Sequence, residues 1–219
     1  MISVIEPAGG KACVPLYQLK VVLLGSEPPV WRRLHVPGDA KLDWLHAVLQ
    51  VAIGWTNSHL HQFKVVEACY SDTRHHAAEF ADDPEILEER TFALRQIAPR
   101  EGDVFRYEYD FGDSWEHEIT VEKILPNPAA ASFALCLEGA RACPPEDCGG
   151  LPGYEELLKI LKNRKHPEHK RMKEWLGRPF DAAAFDEEKT NFWLRKLKWP
   201  RTTEAQLGKV LMARDAVHE

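Results

Sequence analysis

The sequence has no run of about eighteen or more apolar residues, the length a helix needs to cross a bilayer, and no basic N-terminal region leading into an apolar stretch. A cytoplasmic chain with no membrane partner is the expectation. Cysteine is scarce and odd in number, five in 219 residues, which argues against a disulfide framework and for thiols or metal ligands in a reducing compartment. A glycine-rich phosphate loop, an HExxH helix, a GxSxG elbow and paired CxxC spacings are all missing, so no common catalytic motif announces a chemistry. Nor is there an internal repeat at spacings of roughly 20–50 residues.

The rest of the composition is that of a globular protein, 44% apolar and 10% aromatic, with a net charge of −6. That charge argues against a protein that coats nucleic acid through its overall field. Its distribution is uneven. Between Glu101 and Thr120 seven acidic residues accompany one basic residue, Arg106, whereas Lys159–Arg178 holds eight basic residues beside only Glu168 and Glu174. The second stretch is the expected contact for a nucleic acid or protein partner.

Alternation of Tyr17, Leu19, Val21 and Leu23 predicts a strand, followed by a turn at Gly25–Pro29 and a second strand in which Val30, Arg32, Leu34 and Val36 share a face. Leu42, Leu45, Leu49, Ala52 and Ile53 predict a helix N-capped by Asp39 and stopped by Gly54; His59–Val66 has strand period again. Residues 70–90, with His75 and His76, read as a long surface loop. In VFRYEYDFGDSWEHEITVEKIL two alternating runs flank Gly112-Asp113-Ser114, a β-hairpin. Asn127–Ala131 reads as a linker, CPPEDCGG opens a helix carrying Tyr154 and Leu157, Pro167 starts another that ends at Gly177, and Asp186 caps a third. Strands first and helices after predict an α+β fold: an antiparallel sheet with a central β-hairpin, covered by helices, with a helical C-terminal part. One domain is expected over residues 12–200, with 201–219 a tail or marginal helix.

Three segments carry polar chemistry. YDFGDSWEH holds Asp110, Asp113 and His117 around a turn, although an ideal hairpin does not project all three together and Asp-Gly turn chemistry alone accounts for Asp113. In ACPPEDCGG, Cys143 and Cys148 bracket Glu146 and Asp147 in a loop stiffened by two prolines and loosened by two glycines. HLH places His59 and His61 two residues apart, on one face of a strand, so a single ion could meet both with Asp110, Asp113 or Glu146 opposite. A rigid loop and core histidines are the plainer explanations of the same residues.

Two functions are consistent with this pattern, beside a purely structural domain. One is a binding or accessory module in which Trp31, Trp55, Asp110 and Trp115 line a polar, aromatic groove. The other is a metal-dependent hydrolase acting on a phosphoester, with Asp113, Glu146 and Asp147 as candidate catalytic carboxylates. Its candidate ligands are His59, His61, His117, Cys143 and Cys148, around a divalent metal such as zinc or manganese.

The segments YQLKVVLLGSEPPVWRRLHVP, LHAVLQVAIGWTNSHLHQF, YEYDFGDSWEHEITVEKI and CPPEDCGGLPGYEELL, in that order and with FDAAAFD leading to Asn191, resemble the plasmid pRiA ORF-three-like family. The same family also carries an insertion-sequence passenger, TnpR-like label. The resemblance implies an α+β domain and an association with plasmids and insertion elements, and it supplies no activity. A serine resolvase would need an activated serine among arginines, a setting that neither Ser3 nor Ser26 has.

Overall fold

Every second residue of β1 (Leu16–Leu23) and β2 (Trp31–Pro37) is buried, and the two strands pair antiparallel. The computed structural model describes residues 14–66, 68–76, 86–126 and 133–216. Within them β3 (His61–Val65), β4 (Ala68–Ser71), β5 (Ile86–Glu88), β6 (Val104–Tyr109), β7 (Trp115–Leu125) and β8 (Leu135–Ala140) complete an eight-stranded sheet, ordered β5-β4-β3-β6-β7-β1-β2-β8. The β4–β5 pair is parallel and the other pairs are antiparallel. The fold is α+β, with the β6–β7 hairpin at the middle of the sheet.

Arg32 stands in the apolar row of β2 at 2% exposure. Carbonyls satisfy its guanidinium: Nε donates to Ala52 at 2.7 Å, and the two Nη atoms donate to Trp31, Ala140, Ile53 and Arg141 at 2.8–3.1 Å. Burial pulls its pKa down to about 10, so it stays charged at neutral pH. The Ala52 and Ile53 carbonyls belong to a π-helical turn, Gln50–Gly54, that continues α1 (Leu42–Leu49). Carbonyls at the end of a helix lack intrahelical partners. Arg32 takes two of them, and Arg214 donates to the Gln50 and Trp55 carbonyls at 3.3 and 2.9 Å.

Helix α1 begins later than its periodicity predicts. Lys41 is the residue before it, held extended by a bridge to Ala93, while Asp39 pairs with Arg95 instead of capping the helix. Residues 70–90 differ from a plain loop as well. They contain the end of β4, α2 (Thr73–His76), β5 and a tight turn at Glu89–Thr91 leading to α3 (Leu94–Ile97), whereas 77–85 lie outside the described residues, as does the 127–131 linker. Tyr70 anchors this region by packing against Phe92, ring centroids 4.9 Å apart.

The C-terminal part is helical: α4 (Gly150–Lys162), α5 (His169–Leu176), α6 (Glu187–Leu194) and α7 (Glu204–Ala216). Asp186 caps α6, accepting from the Lys189 amide at 2.9 Å, and Gly177 ends α5 at φ +66°. Helix α7 packs Leu207 and Leu211 into the core beside Arg214. Among the described residues no helix is long and apolar enough to cross a membrane.

Candidate metal centre

Three loops meet at one end of the sheet. The first runs from the π-helical turn into β3 with Thr56 and His59, the second is the β6–β7 turn with Asp110 and Asp113, and the third joins β8 to α4 with Glu146 and Asp147. His59 Nε2 lies 3.2 Å from Asp147 Oδ1 and 3.6 Å from both Asp110 Oδ2 and Glu146 Oε2. These approaches lack hydrogen-bond geometry: His59 Nε2 and Glu146 Oε2 are both buried atoms with no hydrogen-bond partner. A neutral imidazole also has at most one proton to offer there, for three carboxylates.

Each inward carboxylate is divided between support and site. Glu146 Oε1 accepts from the Thr56 amide at 2.7 Å, the Thr56 hydroxyl at 2.8 Å and the Tyr109 hydroxyl at 3.1 Å, leaving Oε2 for the cluster. Burial, and then the neighbouring Glu146 charge, push the Tyr109 phenol well above its ordinary value, so it stays a donor. Asp110 Oδ1 accepts from the Gly112 amide at 3.0 Å, leaving Oδ2. Such outer partners fix the direction of a ligand oxygen.

The backbone is unusual at the same place. Asp110 and Asp147 adopt φ of 59° and 55°, a left-handed region uncommon outside glycine and tolerated best by Asn and Asp. Asp113 Oδ2 accepts from the Gly149 amide at 3.2 Å and ties the hairpin turn to the third loop. That approach requires glycine: a Cβ on Gly150, at φ +66°, would stand 2.6 Å from the Asp113 carbonyl oxygen, and one on Gly153 would stand 1.9 Å from that of Cys148.

Four donors about 2.1 Å from a cation in tetrahedral array stand about 3.4 Å from one another. Each of the three carboxylates approaches His59 Nε2 to 3.2–3.6 Å, but Glu146 stands outside the set of mutually close donors. Donor atoms of His59, Asp110 and Asp147 all lie within 4.8 Å of one another. One imidazole with carboxylate oxygens suits zinc or manganese.

The other candidates lie elsewhere. Strand β3 begins only at His61, so the preceding bend separates the two histidines. His61 Nε2 meets Glu89 Oε2 at 2.8 Å, and its ring stacks on His46 with centroids 3.5 Å apart. His117 is fully buried: its Nε2 accepts from Trp55 Nε1 at 3.3 Å and its Nδ1 donates to the Tyr107 carbonyl at 3.2 Å. Trp55 and Trp115 are 0% exposed and pack tilted against each other within the core, ring centroids 5.2 Å apart, and Trp31 is on the opposite side of β2 from Arg32, beneath Arg33 and Lys20. Of the four residues expected to line a groove, Asp110 alone reaches the cluster. Cys143 and Cys148 pack against the core, where burial pushes the Cys143 thiol well up and the Cys148 thiol up to about 12. Protonated thiols are poor ligands. Thr56 and Tyr109 escaped sequence reasoning. A hydroxyl-bearing residue in an otherwise core-facing row was the available signal for Tyr109, and Thr56 had none.

A cavity of about 880 Å³ runs from His59 to His61, lined also by His46, Asp72, Glu89 and Arg201. Burial pushes the Glu89 carboxyl up to about 7. Burial would raise Asp72 too, but hydrogen bonds from Arg74 and the Arg90 charge outweigh it and hold that carboxyl below the usual range.

Sheet, helices and cluster define an α+β domain with an oxygen-rich candidate cation site at the loop end of its sheet. The chain belongs to the plasmid pRiA4b ORF-3-like protein family, whose model matches residues 15–189. It is 38% identical over 187 residues to "Uncharacterized protein y4hQ" of Sinorhizobium fredii (strain NBRC 101917 / NGR234), which covers 84% of this chain and 94% of that protein. The crystal structure of a protein of unknown function, MM3350 from Methanosarcina mazei Go1, has a TM-score of 0.70 at 32% identity, over 81% of this chain and 98% of that one.

Proposed function

We infer that the protein is a divalent-cation-dependent hydrolase of a phosphoester, holding zinc or manganese between His59, Asp110 and Asp147, with Glu146 Oε2 facing His59 at the edge of the site. The observation that carries this reading is the pair of orphaned buried atoms, His59 Nε2 and Glu146 Oε2, facing each other at 3.6 Å. A buried polar atom without a partner costs roughly 1–3 kcal/mol, and a shared cation removes that cost for both. The cation would lower the pKa of a bound water and polarise a phosphoryl oxygen, and hydrolysis adds that water across the ester P–O bond. The cavity beside His59 supplies room for a phosphoester, and its wall carries Arg74, Arg90 and Arg201 beside Asp43, Asp72, Glu89 and Glu204.

The test is elemental analysis of protein purified without an affinity tag or chelator, beside His59→Ala and Glu146→Gln, followed by assay on bis(p-nitrophenyl) phosphate. One equivalent of cation, lost in both variants, with cation-dependent hydrolysis supports the reading. No binding when zinc and manganese are both offered overturns it. Binding without hydrolysis keeps the site and leaves a binding or accessory module, the second reading, which the basic Lys159–Arg178 stretch favours.

A further inference from the structure

The corner formed by α4 and α5 shares no residue with the cation site and has chemistry of its own. None of the eight residues of α5 is buried, and its largest side chain, Trp175, is 46% exposed. His169, Met172 and Leu176 form the half-buried face of α5, and Trp175 stands off it as a half-exposed ring among charged side chains. Around it the charge is one-sided. The ion pairs within this corner are Lys159–Glu156, Lys170–Glu174 and Arg171–Glu168, so among the described residues Lys162, Arg164, Lys165, Lys173 and Arg178 have no carboxylate within pairing distance. The His169 ring meets the Ile160 carbonyl at 3.0 Å, which holds the start of α5 against the end of α4. An eight-residue helix is about 12 Å long, so the cations at its two ends lie within the span of a few nucleotides.

We propose that this corner binds the sugar–phosphate backbone of a single-stranded nucleic acid, with an unpaired base stacked on Trp175. Flexible cations pair with phosphates at fixed spacing, and an exposed ring offers a stacking platform that any base can use. An anionic membrane is a poorer match, because a helix lying in the interface buries a broad apolar face and the exposed surface of α5 is mainly charged. An acidic protein would want an apolar patch at the centre of the contact, where α5 offers a single tryptophan. The chain as a whole is negative, so attraction would be confined to this corner and association with long polyanions elsewhere on the surface would be opposed.

The test is fluorescence anisotropy of the full chain with fluorescein-labelled dT20, rU20 and a 20-base-pair duplex, beside sedimentation with vesicles containing phosphatidylserine. Salt-weakened binding to the single strands is expected, reduced about tenfold by Trp175→Ala. The triple variant Lys162→Ala, Arg164→Ala, Lys165→Ala should flatten the salt dependence by about two in the log–log slope. Because these side chains are outside the core, circular dichroism and melting temperature should be unchanged in both variants. Binding indifferent to both variants, tighter binding to the duplex, or binding to vesicles in place of oligonucleotides overturns the proposal.

Discussion

Glu146 accepts a hydrogen bond from the backbone amide of Thr56 at 2.7 Å, across 90 positions of the chain. The contact clamps the loop before α4 onto the loop before β3, and it uses one carboxylate oxygen while the other points at His59. The two roles separate by mutation. Glu146→Ala removes three hydrogen bonds to a carboxylate and should destabilise the fold by about 2–3 kcal/mol in urea titration. Glu146→Gln keeps an acceptor for Thr56 and should stay within about 1 kcal/mol of the parent while losing cation affinity. Equal destabilisation by both would show that charge, rather than the clamp, holds the loops together.

Arg32 should be among the least replaceable residues. Arg32→Met fits the space but leaves five carbonyls without their donor, two of them at the end of the π-helical turn. A loss of roughly 3–5 kcal/mol is expected. Arg32→Lys keeps the charge without the planar fork and should recover only part of it. Denaturant midpoints for the two variants decide this; a Met variant as stable as the parent would mean that water replaces the guanidinium.

His117 should steepen acid unfolding. Its folded pKa is pulled from 6.5 to about 4, first by burial, so the unfolded chain takes up the proton earlier. The stability it contributes is present above about pH 6.5 and is lost as pH falls towards 4, on the order of 3 kcal/mol in all. His46, pulled down to about 3, acts in the same direction, so the informative quantity is the difference between the parent and His117→Gln. That difference should shrink as pH falls from 7 to 4, and a constant one would contradict the buried neutral imidazole.

Glu89 should tilt the profile the other way. Its folded pKa is raised from 4.5 to about 7 by burial, with His46 and Arg90 opposing and Asp72 and Glu88 assisting; it shares a hydrogen bond of 2.8 Å with His61 Nε2. A raised acid keeps its proton in the folded state, so its contribution is complete below about pH 4.5 and is lost as pH rises through 7, again on the order of 3 kcal/mol. Glu89→Gln should therefore gain on the parent between pH 5 and 8, measured by thermal melts at fixed ionic strength. A variant that instead loses ground with rising pH would place a carboxylate–imidazolium pair there.

Local periodicity was enough to read the strands β1, β2, β6 and β7, the central hairpin and the cap of α6 by Asp186, because alternation and capping act within a few residues of chain. Part of the cluster was legible for the same reason: Glu146 and Asp147 stood out in a loop built of proline and glycine, and His59 and Asp110 beside turns. Their meeting was not legible. Whether His59 and His61 share a face depends on where β3 begins, and that is set by pairing of His61 with Tyr109 on a distant strand. Asp39 left the helix start because Arg95 was within reach, and Trp55 and His117 left the candidate site because they found each other in the core. Sequence by itself determined which residues could be polar, apolar or bent. Tertiary structure alone decided which polar groups would be satisfied and which left over, because hydrogen bonding depends on distances between segments that no local pattern encodes.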